Sequence, residues 1–416
     1  MNDRLEIPSQ ARAILQEVGG FGDALGKAVY VVGGFVRDLF LRRENLDLDI
    51  VLEADAISFA ERLCQQWRGH LHTHAHFGTA TITRPDSLKV DFVTARSETY
   101  AHPGALPSVK RGSIADDLWR RDFSINALAM QINPEVFGRV VDFTGGQDDI
   151  GRGIIRALHS QSFIDDPTRI FRALRYAARY GFEIAQADVE RIQHAVSQRI
   201  LDWVSGQRLR NEIDRILDEP TAAIIIQRLE TFGLFRAIHP DWVLPNQPEQ
   251  RWKAAQQAIR LAQSYDPDER LDMTAIRWMA LFDSLKATEA VAGRLVLENA
   301  LRDKLTAAAH LLTTLNQLQA DIRPSEVYQM LKPYSLEALW FVCANTSYPE
   351  WQRAKALHYL THSRQVEPII TGTDLIQSGL QPGPSFSHLL WRALAAQLDG
   401  EVSTKTEAYR LLGLKT

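Results

Sequence analysis

The chain has 416 residues, 45% of them hydrophobic and 24% charged, with a formal net charge of −4 and two cysteines. That length and balance fit an ordinary water-soluble protein of roughly two to four domains. They argue against three classes: a disulfide scaffold or cysteine-based zinc protein, because Cys64 and Cys343 lie far apart; a helical membrane protein, because no run approaches the roughly 20 apolar residues a bilayer needs; and a broadly basic nucleic-acid binder.

The polar, charged N-terminus has no apolar secretory core, so a reducing cytoplasm is the expected compartment. Short β-rich runs then follow at 28–34, 46–52, 78–84, 88–94 and 136–143, separated by turn residues. Helical patterns intervene at 35–42, 55–67 and 123–129. After about residue 145 the strand signal fades. Helical patterns run from 166–180 through 187–198, 205–217, 221–231, 249–264, 271–283, 285–293 and 297–318 toward the end. The segment DWVLPNQPEQ (241–250) is a candidate joint. The expected fold class is α+β: an N-terminal α/β head followed by an all-α remainder.

The first chemical signal is VYVVGGFVRDLFLRRENLDLDIV, residues 29–51. An apolar strand enters Gly33-Gly34 and then a helical pattern, a turn that lets an anion approach backbone N–H groups. Asp47 and Asp49 follow within a strand-like run. Residues i and i+2 of a strand share a face, so these carboxylates stand side by side with Leu46, Leu48 and Ile50 opposite. Asp is depleted in strands, and two like charges at this spacing repel unless a cation lies between them. Asp91, in the strand-like LKVDFVT, would complete a three-carboxylate site if its strand lies beside the first. Such a donor set suits two Mg²⁺ ions, with Mn²⁺ an alternative, serving an attacking hydroxyl and a triphosphate. The bland reading of any one of these aspartates is a solvent-facing strand residue. The set resembles the nucleotidyltransferase superfamily that includes DNA polymerase β.

Next comes DDLWRRDFSINALAMQ (116–131), similar to the RRDFTINALA signature of bacterial tRNA CCA-adding enzymes and poly(A) polymerases. The resemblance implies that Arg37, Arg120, Arg121, Asp122 and Asn126 surround the incoming triphosphate and ribose, together with Gly33 and Gly34. The segment VVDFTGGQDDIGRGIIRAL (140–158) resembles the family's joint between head and neck. SFIDDPTRIFRALRYAARYGFEI (162–184) reads as a helix with Asp166 as its cap and Gly181 at its end. Arg172, Arg175 and Arg179 fall on one face of it, with Arg169 just beyond, which makes it the expected basic surface. The resemblance further assigns Asp166 and Arg169 to reading the Watson–Crick edge of the incoming base, with Arg172 and Arg175 alongside. Arg208, Glu212 and Arg215 read equally as ordinary helix-surface pairs or as a brace for that helix.

The resemblance, to the class II tRNA nucleotidyltransferases, covers roughly residues 28–240. It implies a head at 1–142, a neck at 143–220, a body at 221–330 and a tail at 331–416. It also implies CCA addition to the tRNA 3′ end from CTP and ATP, with contacts to the acceptor and TΨC arms and no DNA or membrane partner. Three alternatives stand beside this: addition of only CC or only A, a poly(A) polymerase, and a non-catalytic RNA-binding relative. The last needs lost carboxylates, and all three are present. THAHFGTATI (73–82) lacks the Gly-basic-basic-Phe segment common in bacterial poly(A) polymerases. The stretch between Arg96 and Arg120 carries no Lys or Arg before Lys110, which weighs against the final A addition. No His-Asp dipeptide marks a phosphohydrolase domain.

Overall fold

Four apolar residues, Val29–Val32, are buried at every position, as a strand must be when it has neighbours on both edges and layers on both faces. The computed structural model, which describes residues 5–75 and 78–414, builds a seven-stranded sheet around them. His76 and Phe77, part of the 73–82 stretch read above, lie outside the described residues.

The elements run α1 (Ser9–Ala24), β1 (Val29–Val32), α2 (Gly34–Phe40), β2 (Leu48–Leu52), α3 (Ala56–Trp67), β3 (His70–His74), β4 (Thr79–Thr83) and β5 (Lys89–Thr94). A hairpin follows, β6 (Arg96–Thr99) and β7 (Ser108–Arg111), then α4 (Ile114–Trp119), β8 (Leu128–Gln131) and β9 (Arg139–Asp142). The sheet order is β3-β4-β5-β2-β1-β8-β9. Only the β2–β5 pairing is parallel among its ladders; it sets Asp49 opposite Asp91. On one face Val32, Val51 and Ala129 pack beneath Ile114 and Leu118 of α4.

Local signals account for many ends. The Asp55 side chain accepts from the Ile57 and Ser58 N–H groups at the start of α3, and Ser113 with Asp116 forms a reciprocal capping box on α4. Beyond the sheet come α5 (Gly146–Arg152), the short parallel pair β10 (Ile154–Ile155) and β11 (Glu183–Ile184), α6 (Ser162–Asp165), α7 (Thr168–Tyr180), α8 (Gln186–Ser197), α9 (Gly206–Leu217) and α10 (Ala222–Thr231). Helix α7 ends at Gly181, whose φ of 69° is the left-handed conformation glycine adopts without strain.

Two expectations are corrected. The pattern at 123–129 is not a helix: a single 3-10 turn at Ser124–Asn126 leads into β8. The run Leu-Ala-Met-Gln has fair helix propensity, but pairing on both sides with β1 and β9 decides its state. Leu46 is not on the buried face; β2 starts at Leu48, and Leu46 is 38% exposed. The stretch after Arg96 forms the β6–β7 hairpin. Helix α1, for which no element was expected, packs on β1 and carries glycines that dilute its helical signal.

The chain divides into two compact units after Gly233. The second, from Leu234, is helical throughout. Its interior includes the stacked rings of Trp242, Trp278 and Phe282 and the edge contact of Phe235 on Trp242. Arg251, buried there, donates to the carbonyls of Met279, Ala280 and Phe282 at the end of helix Met273–Met279. No helix among the described residues is long and apolar enough to cross a membrane.

Candidate active site

A cavity of about 670 Å³ opens in the first unit. It is lined by Gly34, Arg37, Asp47, Asp49, Arg121, Asp122, Asn126, Asp166, Arg169 and Arg172, ten of the residues singled out in the sequence. The structure thus gathers onto one surface groups spread over more than a hundred positions. Gly33, Asp91 and Arg175 lie outside the lining.

Gly33 is nonetheless constrained. Its φ is 70°, and a Cβ there would lie 2.6 Å from Arg121 Nη1, so a side chain would be strained and would displace that arginine. Asp47 is exposed just before β2, and Asp49 is the first half-buried residue within it. Burial, then the charge of Asp47, push the Asp49 carboxyl up to about 6, with Arg121 opposing and Asp91 adding to the rise. Asp91 occupies the expected position beside Asp49, but its Oδ1 accepts from Thr81 Oγ1 at 2.5 Å. Among the described residues no three His, Cys, Asp or Glu side chains converge on one point.

A chain of hydrogen bonds leads from these carboxylates to α7. The Asp47 N–H donates to Asn45 Oδ1 at 2.7 Å, and Asn45 Nδ2 donates to Asp38 Oδ2 at 2.7 Å. Arg37 forks onto both Asp38 oxygens at 2.9 Å and donates to Asn126 Oδ1 at 2.6 Å. Asn126 Nδ2 donates to Asp122 Oδ1 at 3.0 Å, and Arg172 Nε to Asp122 Oδ2 at 2.8 Å. Arg37 also lies 4.7 Å from the Tyr180 ring centre, a cation–π contact. Burial would raise the Asp122 carboxyl, but Arg172 and the bond from Asn126 hold it at about 2. Below this chain, the fully buried Asp117 receives Arg120 and Arg121 at 2.7 and 3.0 Å. Burial opposes its charge, yet the two guanidiniums keep its carboxyl below the ordinary range.

The expected basic stripe on α7 is corrected by this geometry. Arg169 and Arg175 are buried, at 5% and 7% exposure. Arg172 is paired with Asp122, Arg175 with Glu212 and Glu219, and Arg179 with Glu219. Three of the four arginines are therefore matched by carboxylates brought from elsewhere, which helical spacing alone does not reveal. Arg169 meets neutral acceptors: Ser162 Oγ at 2.6 Å, the Arg120 carbonyl at 2.9 Å and the Tyr100 hydroxyl at 3.4 Å.

Asp166 does cap α7, accepting from the Thr168 N–H at 3.1 Å and its hydroxyl at 2.6 Å. It also receives Arg208 Nη2 at 2.7 Å. Arg208 Nη1 donates to the Gly104 carbonyl at 2.7 Å, at the far end of the β6–β7 hairpin. The Gly104 N–H in turn donates to the Asp165 carbonyl, and His102 stands 5.9 Å from Trp203, ring to ring. The hairpin end is thereby held against Asp166. Of the two readings of Arg208, the brace is the observed one, while Arg215 makes the ordinary i,i+3 pair with Glu212.

The sequence reading missed Asp38, Asn45, Arg96, Glu98 and Tyr100 as cavity residues, while Arg120, paired with Arg121 in the resemblance, does line the cavity. Asp38, next to Arg37 on α2, could have been found from the adjacent opposite charges; the hairpin residues carry no signal until the hairpin is folded. Burial raises the Tyr100 phenol to about 12, against the pull of Arg169, so it is a hydrogen-bonding group rather than a base.

These features match known proteins. Residues 29–156 fit the family model described as the poly A polymerase head domain, and residues 181–243 that of the probable RNA and SrmB-binding site of polymerase A. The chain is 32% identical over 410 residues to an A-adding tRNA nucleotidyltransferase of Halalkalibacterium halodurans, covering 98% of this chain and 91% of that one. The chain belongs to the tRNA nucleotidyltransferase family. A second A-adding relative, from Geobacter sulfurreducens, is 38% identical over 97% of this chain, although the chain spans only 47% of that protein's length. A CC-adding tRNA nucleotidyltransferase of the same organism is 30% identical over 97% of this chain and 94% of its own. Among solved structures, a CCA-adding enzyme in its apo form superposes with a TM-score of 0.85 at 30% identity, covering 97% and 95% of the two chains. The α+β class and the polymerase β-like head expected from the sequence agree with these likenesses.

The cavity's donor set fits the divalent ions expected of such a site. Asp47 and Asp49 present hard carboxylate oxygens to it, and burial together with the charge of Asp47 disfavours ionised Asp49, a cost a bound cation would offset.

Proposed function

We propose that this protein adds the terminal A to tRNAs that already end in CC, using ATP and releasing pyrophosphate, without a nucleic-acid template. The observation that carries the product is the contrast within one organism: 38% identity to the A-adding enzyme of G. sulfurreducens against 30% to its CC-adding one. Full CCA addition, which the sequence motifs alone favour, is the second reading, supported by the likeness to a CCA-adding enzyme. The lack of Lys or Arg between Arg96 and Lys110 does not leave that side of the cavity without cations. Arg96, the first residue of the hairpin, and Arg120 both line it.

In this reading Asp47 and Asp49 hold Mg²⁺, with Mn²⁺ an alternative and Asp91 the third carboxylate of the set. The bound ions would supply charge neutralisation for the attacking 3′-hydroxyl and the departing pyrophosphate. Arg121, packed against Gly33 of the Gly33-Gly34 turn, is the cationic partner we assign to the phosphates there. Arg37, Asn126, Asp122 and Arg172 act as one hydrogen-bonded unit that sets the cavity wall between carboxylates and α7. Asp166 and Arg169 offer an acceptor and a forked donor to the base edge, with Arg172 and Arg175 fixing the helix that carries them. Since phosphoryl transfer asks mainly for position and charge, no nucleophilic side chain is required. The acceptor and TΨC arms of tRNA are the contacts we assign to the helical parts, and the cytoplasm is the compartment.

The test is incubation with tRNAs ending at the discriminator base, at C and at CC, each with CTP or ATP alone. A single A on the CC-ended tRNA, with no CTP incorporation, is the expected product. Growth with CTP on the shorter tRNAs would replace this reading with full CCA addition.

A further inference from the structure

Strand β3 is an edge of the sheet, and it carries His70, His72 and His74 at alternate, exposed positions. Alternate residues share a face. The register identifies which one. His72 pairs with Thr81, Thr81 with Asp91 and Asp91 with Asp49. The Thr81–Asp91 hydrogen bond puts those two side chains on one surface. The histidines therefore lie on the carboxylate face, with His72 three strands, or about 14 Å, from Asp49. The neighbouring rows are His74 opposite Thr79, and His70 opposite Thr83, which faces the exposed Lys89. Thr79 lines the cavity itself, so cavity and strip are continuous. The His72 and His74 rings stand 4.5 Å apart, edge to face.

Protecting a sheet edge needs polar side chains, but on either face and of any type, with Lys the usual choice. Here three imidazoles repeat on the carboxylate face, while the other face of β3 carries Leu71 and Thr73. On the opposite side of the cavity, Asp166, Arg169 and Arg172 occupy the wall assigned to the nucleotide. An acceptor whose 3′-hydroxyl sits at Asp49 must bring its preceding residues in from elsewhere. The β4–β3 side offers hydroxyl donors, imidazole N–H groups, flat rings on which bases can stack and one ammonium group.

We propose that His70, His72 and His74, with Thr79, Thr81, Thr83 and Lys89, bind the single-stranded 3′ segment of the RNA acceptor as it leads to the carboxylates. The proposal rests on the reading above that RNA is the acceptor. The strip supplies phosphate and base contacts upstream of the reacting end and takes no part in choosing the incoming nucleotide.

The experiment replaces all three histidines (His70→Ala, His72→Ala, His74→Ala) in the full chain, with circular dichroism and the Tm checking that the exposed strand still folds. The KM for CC-ended tRNA should rise at least about fivefold while the KM for ATP stays within about twofold. In fluorescence anisotropy the variant should lose affinity for CC-ended tRNA but not for tRNA trimmed of its single-stranded 3′ end. His72→Phe or His72→Gln in place of alanine should restore part of the binding, through stacking or hydrogen bonding respectively. An unchanged KM for tRNA, or an equal loss of affinity on trimmed tRNA, overturns the proposal. Failure of the underlying reading is distinct: the unaltered protein would neither bind nor extend any tRNA.

Discussion

Asp122 holds opposite charge at the centre of the cavity wall, between Asn126 and Arg172. Its carboxyl is held at about 2 against an ordinary 3.8. A depressed carboxyl contributes fully above its unfolded value and loses that contribution as the pH falls through the folded one. Asp122→Asn should therefore lower stability by about 2 kcal/mol or more near neutrality, and the gap from the unaltered protein should narrow between pH 4 and 2. Urea unfolding of both proteins across that range measures it; a gap independent of pH would show that Arg172 does not depend on the charge. Asp49 is the contrasting residue, raised rather than lowered, by burial first and then by the charge of Asp47. Asp49→Ala should reduce incorporation at least about 100- to 1000-fold, with folding and tRNA binding kept. Incorporation within tenfold of the unaltered protein would remove the carboxylates from the chemistry. Chelation with EDTA should likewise abolish incorporation, restored by added Mg²⁺.

At the scale of elements, the β6–β7 hairpin and α7 are joined through one side chain. Arg208 bonds both Gly104 at the hairpin end and Asp166 at the helix start. A hydrogen bond to a charged group is worth about 1.5–3 kcal/mol, enough to bias which arrangement Asp166 keeps. Arg208→Ala should thus narrow the preference for ATP over CTP by about tenfold with little change in tRNA affinity. Hydrogen exchange in the hairpin should quicken at the same time. Unaltered nucleotide choice with a faster-exchanging hairpin would separate the hairpin from base reading. The strand β8 teaches a related lesson. Its start, 128–129, falls in the helical pattern read at 123–129, yet 128–131 become a strand because β1 and β9 each offer an edge to pair with.

Over the whole molecule, 47 basic residues face 51 acidic ones, and the pairing extends into the site. Seven arginines line the cavity beside seven carboxylates. Binding of tRNA should consequently depend on salt only modestly, with a log–log slope of magnitude below about 3. Titration of the apparent Kd between 50 and 200 mM salt gives that slope; a steep one would place a basic surface outside the cavity. The second unit has its own aromatic interior. Trp242→Ala there, removing a fully buried ring stacked on Trp278 and Phe282, should cost about 3–5 kcal/mol in denaturant unfolding.

The sequence by itself determined the fold class, most strand and helix positions, and the ten cavity residues from Gly34 to Arg172. The Gly33-Gly34 turn and the Asp47/Asp49 pair could be read because short fixed spacings are local features that a strand or turn presents directly; the arginines, Asp122, Asn126 and Asp166 were named by the family resemblance. Asp47 and Asp49 were legible as neighbours; that Asp91 lies opposite Asp49 waited on the pairing of β2 with β5, and there Asp91 accepts from Thr81. What only the tertiary structure decided was which charges meet. Asp122 lies fifty positions from Arg172, and Asp166 lies forty-two from Arg208. No periodicity encodes such pairs, so arginines that read as a free basic stripe are instead mostly neutralised. The same holds for the histidines of β3, whose alignment with Asp49 exists only once four strands have taken their register.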